Sequence, residues 1–391
     1  MEQENLTTTE NVAADQSTLA NNNDKQQRSM EKNEAAIKEL TGKSKKKTIF
    51  MVIFLIANVL AILLTAINEF GGSKDAASPG EVLSVWFQNW YFLLLAFAFL
   101  GVNLICETLK FAFFIKNATG KFNLRLAWKC MIQGKYYDGI TPSSIGGQPF
   151  QVYYLAKSGI EAGKSTSIAI TCFFLTQFTF SVMTIILMSI FGTTLLPNEL
   201  LITGYVGAVL ATTTPVLLII ASFIPKTSKR LCCFLLRLLT KIKIIKDYNK
   251  AEASVLEYID NYSDSVKHMR EMKGTIAVNA LLSIMANLAN ACIPYFVILC
   301  CGESLPFIHV VAMCFVTYAS VSFIPTPGSS GAAEASFYLV FSVLSGGFLF
   351  MGMLLWRTIS FYAILLIGLF VVIGGFSGKN KKVLYGNEQK K

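Results

Sequence analysis

The chain has 391 residues, of which 53% are hydrophobic and 15% charged, with a net charge of +10. A soluble domain carries roughly 25% charged residues, so this composition excludes an ordinary globular protein. In a soluble chain the positive charge would point to nucleic acid. Here the basic residues flank apolar runs, so the expected partner is an anionic phospholipid surface, with no direct nucleic-acid contact.

Residues 1–47 are polar, and the stretch from 10 to 33 is rich in Asn, Gln, Asp and Lys. They read as a disordered cytosolic tail, not as a secretory signal. Crossing the hydrocarbon takes about 20 apolar residues at 1.5 Å rise each. Six stretches reach that length: 48–67, 91–115, 166–191, 201–224, 275–300 and 348–376. Two others, 139–156 and 306–345, are apolar but broken by Gly and Pro. Between the fourth and fifth spans, 226–274 forms a basic insertion, and 228–243 interleaves Lys and Arg with Leu and Phe. That pattern suits a helix lying in the inner interface with its charges snorkelling outward. Residues 377–391 form a second basic cytosolic tail.

Lys and Arg flanking the spans set the orientation. Lys43, Lys45, Lys46 and Lys47 precede the first span, and Lys116, Lys121, Arg125, Lys129 and Lys135 follow the second. The outer connections hold Glu69, Asp75, Glu81, Glu199 and Glu303, with Lys74 as their one basic residue. Both termini therefore lie inside. Stretch 139–156 has inside-type charges at both ends, and 306–345 starts and ends outside. Each is expected to dip in and return, the second as two half-helices meeting at Pro325-Thr326-Pro327-Gly328. Broken backbone at that depth survives only where protein or a wet cavity satisfies its N–H and C=O groups. Two ordinary kinked helices are the alternative.

The two interruptions resemble each other. Thr141, Pro142, Ser144, Gly146 and Tyr153 recur 185 residues later as Thr326, Pro327, Ser329, Gly331 and Tyr338. The same offset carries span two onto span five and span three onto span six. The expected fold is thus an all-α polytopic membrane protein with about six full spans and two re-entrant segments, built as an inverted helix–broken segment–helix repeat. In secondary transporters with that layout, substrates bind near the midplane at the breaks.

Ionisable groups inside the membrane are costly, so each is a candidate for function. Asn103, Glu107 and Lys110 share one face of span two, and Asn279, Ser283, Asn287 and Asn290 form one stripe on span five. Gln177 lies in span three, Arg357 in span six, Glu334 beyond the second break, and Gln148 and Gln151 beyond the first. In one reading these groups converge on a polar cavity. Arg357 takes a phosphate, helped by N–H groups of the Gly328–Gly331 turn, while Glu334 and Glu107 meet a cationic head group. In the other, Glu107 pairs with Lys110, Glu334 pairs with Arg357, and the asparagines join helices. The nine cysteines lack chelating spacing and the two histidines are isolated, so no metal is expected. Walker A, H-E-x-x-H and G-x-S-x-G motifs are absent from the sequence, so neither a cofactor nor a catalytic residue is assigned.

At its two broken stretches the chain resembles the transmembrane domain of the lysylphosphatidylglycerol synthase/flippase family. The first stretch is ITPSSIGGQPFQVYYLAKSG, 140–159, and the second is FIPTPGSSGAAEASF, 323–337. Gly146, Gly147, Pro327, Gly328, Gly331 and Glu334 fall on the family's motif positions. The resemblance spans about 48–376 and implies a flippase-like domain in a bacterial plasma membrane. Large members add a cytosolic domain that lysylates phosphatidylglycerol, and the membrane domain flips the product, which repels cationic antimicrobial peptides. This chain ends soon after its last span, so a stand-alone membrane domain is expected, not catalytic by itself. The resemblance leaves three readings. The chain translocates an aminoacylated phosphatidylglycerol-type lipid; it serves phosphatidylglycerol lysyltransfer, with a separate aminoacyl-lipid synthase as partner; or it is a non-transporting scaffold.

Overall fold

The computed structural model describes residues 79–141, 146–195, 273–322 and 326–376, the last without 343 and 345, together with Ile324 and scattered positions between 201 and 260. Every regular element among the described residues is a helix. Helix α1 (Pro79–Gln88) opens with a proline, whose fixed φ and missing N–H suit a first helical turn, and carries Glu81 near its positive end. Helix α2 (Trp90–Thr119) follows. Its 30 residues end at Gly120, whose φ of 73° turns the chain so that its N–H bonds the Lys116 carbonyl.

Helix α3 (Leu124–Ile140) starts at Asn123, whose side chain accepts from the Leu126 N–H at 3.0 Å. After a break comes α4 (Gly147–Lys157), then the long α5 (Ala162–Leu195). Past the scattered region run α6 (Lys273–Cys300) and α7 (Phe307–Val321). A tight 3-10 turn at Pro327–Ser329 leads into α8 (Ala332–Val340). Helix α9 (Gly346–Arg357) passes through a wide π turn, Thr358–Tyr362, into α10 (Ala363–Phe376).

Four helical stretches are long and apolar enough to cross a membrane: Trp90–Thr119, Gly163–Phe191, Lys273–Cys300 and Phe348–Gly374. They coincide with the expected second, third, fifth and sixth spans, and the molecule is a multi-pass membrane protein. The expected span 48–67 and both tails lie outside the described residues, as do most of 201–224 and of the basic insertion 226–274. Large apolar side chains on the spans, among them Ile105, Ile190, Leu281, Leu366 and Phe370, point outward. In water that would be a liability; in lipid it is the expected surface.

The most extensive helix pairing joins α2 to α6. They run antiparallel, Phe99 stacking on Phe296 at 5.1 Å and Asn117 bonding Thr275 at 2.6 Å. Small buried residues, Ala96, Ala112, Ala286 and Ala289, let the two backbones approach. Pro294 sits inside α6, and its missing N–H leaves the Asn290 carbonyl without its helical donor.

The second interrupted stretch has the two helices expected on either side of its break, and the first departs from expectation at its start. The first begins at 124 instead of 139, because α3 is its leading limb. That limb buries Ala127, Cys130, Met131, Ile132, Gln133, Gly134 and Tyr137 while carrying Arg125, Lys129 and Lys135. Its charges disguised it as a loop. Residues 142–145, at the break itself, and Pro325 lie outside the described residues. At 15 residues α7 is too short to cross a bilayer.

Candidate functional site

A cavity of about 440 Å³ opens where α2, α3, α5, α6, α7, the 3-10 turn and the π turn meet. Asn103 and Glu107 enter it from consecutive turns of α2, Gln177 from α5, and Asn287 and Asn290 from α6. Arg357 and Gly328 complete the group of expected residues that the fold brings together here. Gly331, Glu334, Gly146, Gly147, Gln148 and Gln151 stand outside its wall. Gln151 is buried against Gly134, and Gln148 is half-buried on the first turn of α4.

Arg357 is held on several sides. Its Nε donates to Glu334 Oε1 at 2.7 Å, and its Nη2 donates to Ser330 Oγ at 3.1 Å and to the Gly328 carbonyl at 3.3 Å. The guanidinium lies over the Phe361 ring, 4.4 Å from its centre. The π turn shapes this arrangement, since Arg357 precedes it and Phe361 lies within it. Glu334 uses its other oxygen, Oε2, to accept from the Gly331 N–H at 2.6 Å. Of the two readings the sequence left open, the structure contains the ion pair. The carboxylate of Glu334 holds the Nε position that a phosphate would have used, and it holds the Gly331 N–H as well. Side chains of the pair are 5% and 14% exposed, so neither charge has much water to fall back on.

Glu107 likewise pairs with Lys110, Nζ to Oε1 at 2.9 Å, and Lys110 also donates to the Thr176 hydroxyl. Lys110 does not snorkel. Its side chain is completely buried, which makes the pair a fixed internal dipole with its carboxylate on the cavity side. The asparagines divide by role. Asn103 donates to the Ala286 carbonyl at 2.8 Å, tying α2 to α6, and Asn287 donates to Thr179 Oγ1 at 3.1 Å, tying α6 to α5. Asn279 bonds back to the Thr275 carbonyl, and Ser283 to that of Asn279.

Two glycines are explained by close approach. The Gly147 N–H donates to Asp138 Oδ1 at 2.7 Å, and a Cβ at 147 would sit 2.4 Å from that carboxylate. Gly328 has φ +58°, and a Cβ there would lie 2.2 Å from the Phe361 ring and 3.3 Å from the Gly139 carbonyl. The two interrupted stretches therefore come close at Gly139 and Gly328, with Phe361 packed beside both.

Sequence reasoning missed Lys135 and Asp138, both on the cavity wall, along with Tyr318, Ser360 and Phe361. A signal for Asp138 existed: it is the one acidic residue between Glu107 and Glu161, in an otherwise basic stretch. No such signal marked Tyr318 or Phe361, which read as ordinary apolar residues. The cavity can receive both kinds of charge, an anion near Lys135 and Arg357 and a cation near Glu107 and Asp138. The aromatic and aliphatic wall formed by Phe180, Phe315, Ile364 and Leu365 offers an acyl chain a surface.

A membrane protein of Archaeoglobus fulgidus named "UPF0104 membrane protein" is 26% identical over 301 residues, covering 72% of this chain and 85% of that one. No solved structure matches. The sequence pattern described as the Lysylphosphatidylglycerol synthase TM region matches residues 48–368, and the chain belongs to that family.

Proposed function

We propose that this protein translocates phospholipids between membrane leaflets, admitting the head group to the cavity around Arg357. The observation that carries this reading is the set of buried charged groups lining one cavity where the two interrupted stretches come close. A purely structural bundle gains little from charges placed there, since they cost free energy to bury.

Element order supports an inverted repeat. A shift of 185 residues carries the bounds of α2, α3, α4 and α5 close to those of α6, α7, α8 and the α9–α10 span. The packing follows the same exchange, because α3 packs on α10 while its counterpart α7 packs on α5. With the charge distribution of the sequence, these two halves have opposite orientations, termini inside, and the interrupted stretches enter from opposite faces. Rocking one half against the other would open the cavity to each side in turn. Family membership points to aminoacylated phosphatidylglycerol as cargo, supplied by a separate aminoacyl-lipid synthase in a bacterial plasma membrane. Moving it outward would lower the negative charge of the outer leaflet and weaken the binding of cationic antimicrobial peptides.

Purified protein in proteoliposomes with a head-group-labelled phospholipid tests the reading. Wild type should speed exchange between leaflets, and Arg357→Ala should abolish the gain. Leaflet distribution unchanged by wild type across several head groups would leave the scaffold reading, or a synthase membrane subunit, in its place.

A further inference from the structure

We propose that the Glu334–Arg357 pair is a charge-exchange filter, admitting head groups that carry both an anion and a cation and turning away those that are only anionic. The inference rests on the translocation reading and names what its site selects.

While the pair is intact, Arg357 can offer an incoming phosphate the N–H groups of Nη1 but not the two-pronged fork of Nε with Nη2. Nε is taken by Glu334, and Nη2 by Ser330 and the Gly328 carbonyl. The Phe361 ring beneath the guanidinium and the packed turn beside it keep the arginine from moving to a new position. A phosphate that engages Nε must therefore displace the carboxylate. Glu334 keeps its bond from the Gly331 N–H, so it stays in place, but it loses its cation where its side chain is only 14% exposed.

Breaking a buried pair from one side leaves an uncompensated charge, and that is where the selectivity arises. Glu334 lies beside Arg357 just outside the cavity wall, and the charged groups on that wall offer it poor compensation. Glu107 is itself acidic and already holds Lys110, and Asp138 is also acidic. Lys135 is the other cation on the wall, and it belongs to α3, the helix that carries Asp138. A head group with its own ammonium changes the balance. Its phosphate takes Arg357, its ammonium takes Glu334, and one ion pair becomes two with no charge left over. A purely anionic head group leaves Glu334 unpaired. Discrimination comes from penalising the wrong ligand, without any gain in contacts to the right one.

The test uses the full chain in a non-ionic detergent and two water-soluble short-chain lipids that differ only in head group. Phosphatidylethanolamine carries phosphate and ammonium, and phosphatidylglycerol carries phosphate alone. Binding is read from tryptophan fluorescence, Trp356 being the neighbour of Arg357. Wild type should bind the zwitterion about tenfold more tightly or better. Glu334→Gln should bring the two affinities together by strengthening phosphatidylglycerol binding, whereas Glu334→Asp should keep the preference. A second measurement needs no variant. Millimolar methylammonium should tighten phosphatidylglycerol binding to wild type by supplying the missing cation. Equal affinities in wild type, binding of neither lipid, an unchanged ratio in Glu334→Gln, or no response to methylammonium would each overturn the filter. Its failure is distinct from failure of translocation. Wild type that moves both lipids equally in proteoliposomes has no filter but is still a translocator, and wild type that moves neither is not one.

Discussion

The two interrupted stretches share a topology and differ in what closes them. In the first, Asp138 on α3 accepts from the Gly147 N–H at the start of α4, so the closure stays inside the hairpin. In the second, Glu334 at the start of α8 reaches Arg357 on α9, so the closure ties the hairpin to a membrane-spanning helix. At the second break Gly328, Ser329 and Gly331 all have positive φ. At the first break the described bonds are local, from the Gly147 N–H to Asp138 and from the Gly146 N–H to Thr141 Oγ1, whereas the second is held by an ion pair between two helices. On this comparison the second hairpin is coupled to a neighbouring helix through charge, and the first is closed within itself.

The comparison can be broken first at the ion pair. Arg357→Ala should cost about 3 kcal/mol in thermal unfolding of the detergent-solubilised protein, because Glu334 keeps its charge and loses its partner. Glu334→Ala added to it should cost less than the two single losses combined, since one interaction is being removed twice. A strictly additive double variant would mean that the pair is not coupled. Next in size is Gly328→Ala, at about 2 kcal/mol, from overlap with the Phe361 ring on top of the left-handed φ. Phe361→Leu in the same chain should return part of that loss; if it returns none, the ring is not the obstacle.

At the first break the effect should be smaller. Asp138→Ala should cost about 1 kcal/mol, as expected for a helix-capping side chain, and Asp138→Asn less, because its amide oxygen still accepts from Gly147. A loss at Asp138 as large as that at Arg357 would erase the distinction between the two hairpins. Smallest is Asn103→Ala, which removes one bond between α2 and α6 and should cost about 0.6 kcal/mol in the same unfolding measurement.

The spans were legible because length and apolarity alone define them, and each span that the structure describes falls where the apolar run does. Helix α3 was not legible. Its buried residues include Gln133, Gly134 and Tyr137 beside Cys130, Met131 and Ile132, and exposed Arg125 with half-buried Lys129 lowers its apolarity to that of a loop. At the site, Arg357, Glu334, Glu107 and the asparagines stood out because polar groups inside apolar runs are rare. Their pairings were harder to read. Glu107 and Lys110 are a local i, i+3 pair that helical geometry suggests, whereas Glu334 and Arg357 lie on separate helices 23 residues apart. Phe361 was out of reach altogether. Its place beneath Arg357 depends on the π turn, which no apolar periodicity announces.

The central claim is that the cavity faces the two sides of the membrane in alternation, and one measurement addresses it directly. Asn290→Cys, on the cavity wall, can be placed in a chain whose native cysteines are replaced and labelled with a membrane-impermeant thiol reagent from either side of sealed vesicles. The account predicts labelling from both sides, with added phospholipid shifting reactivity from one side to the other. Labelling from one side only, with no response to lipid, would contradict it.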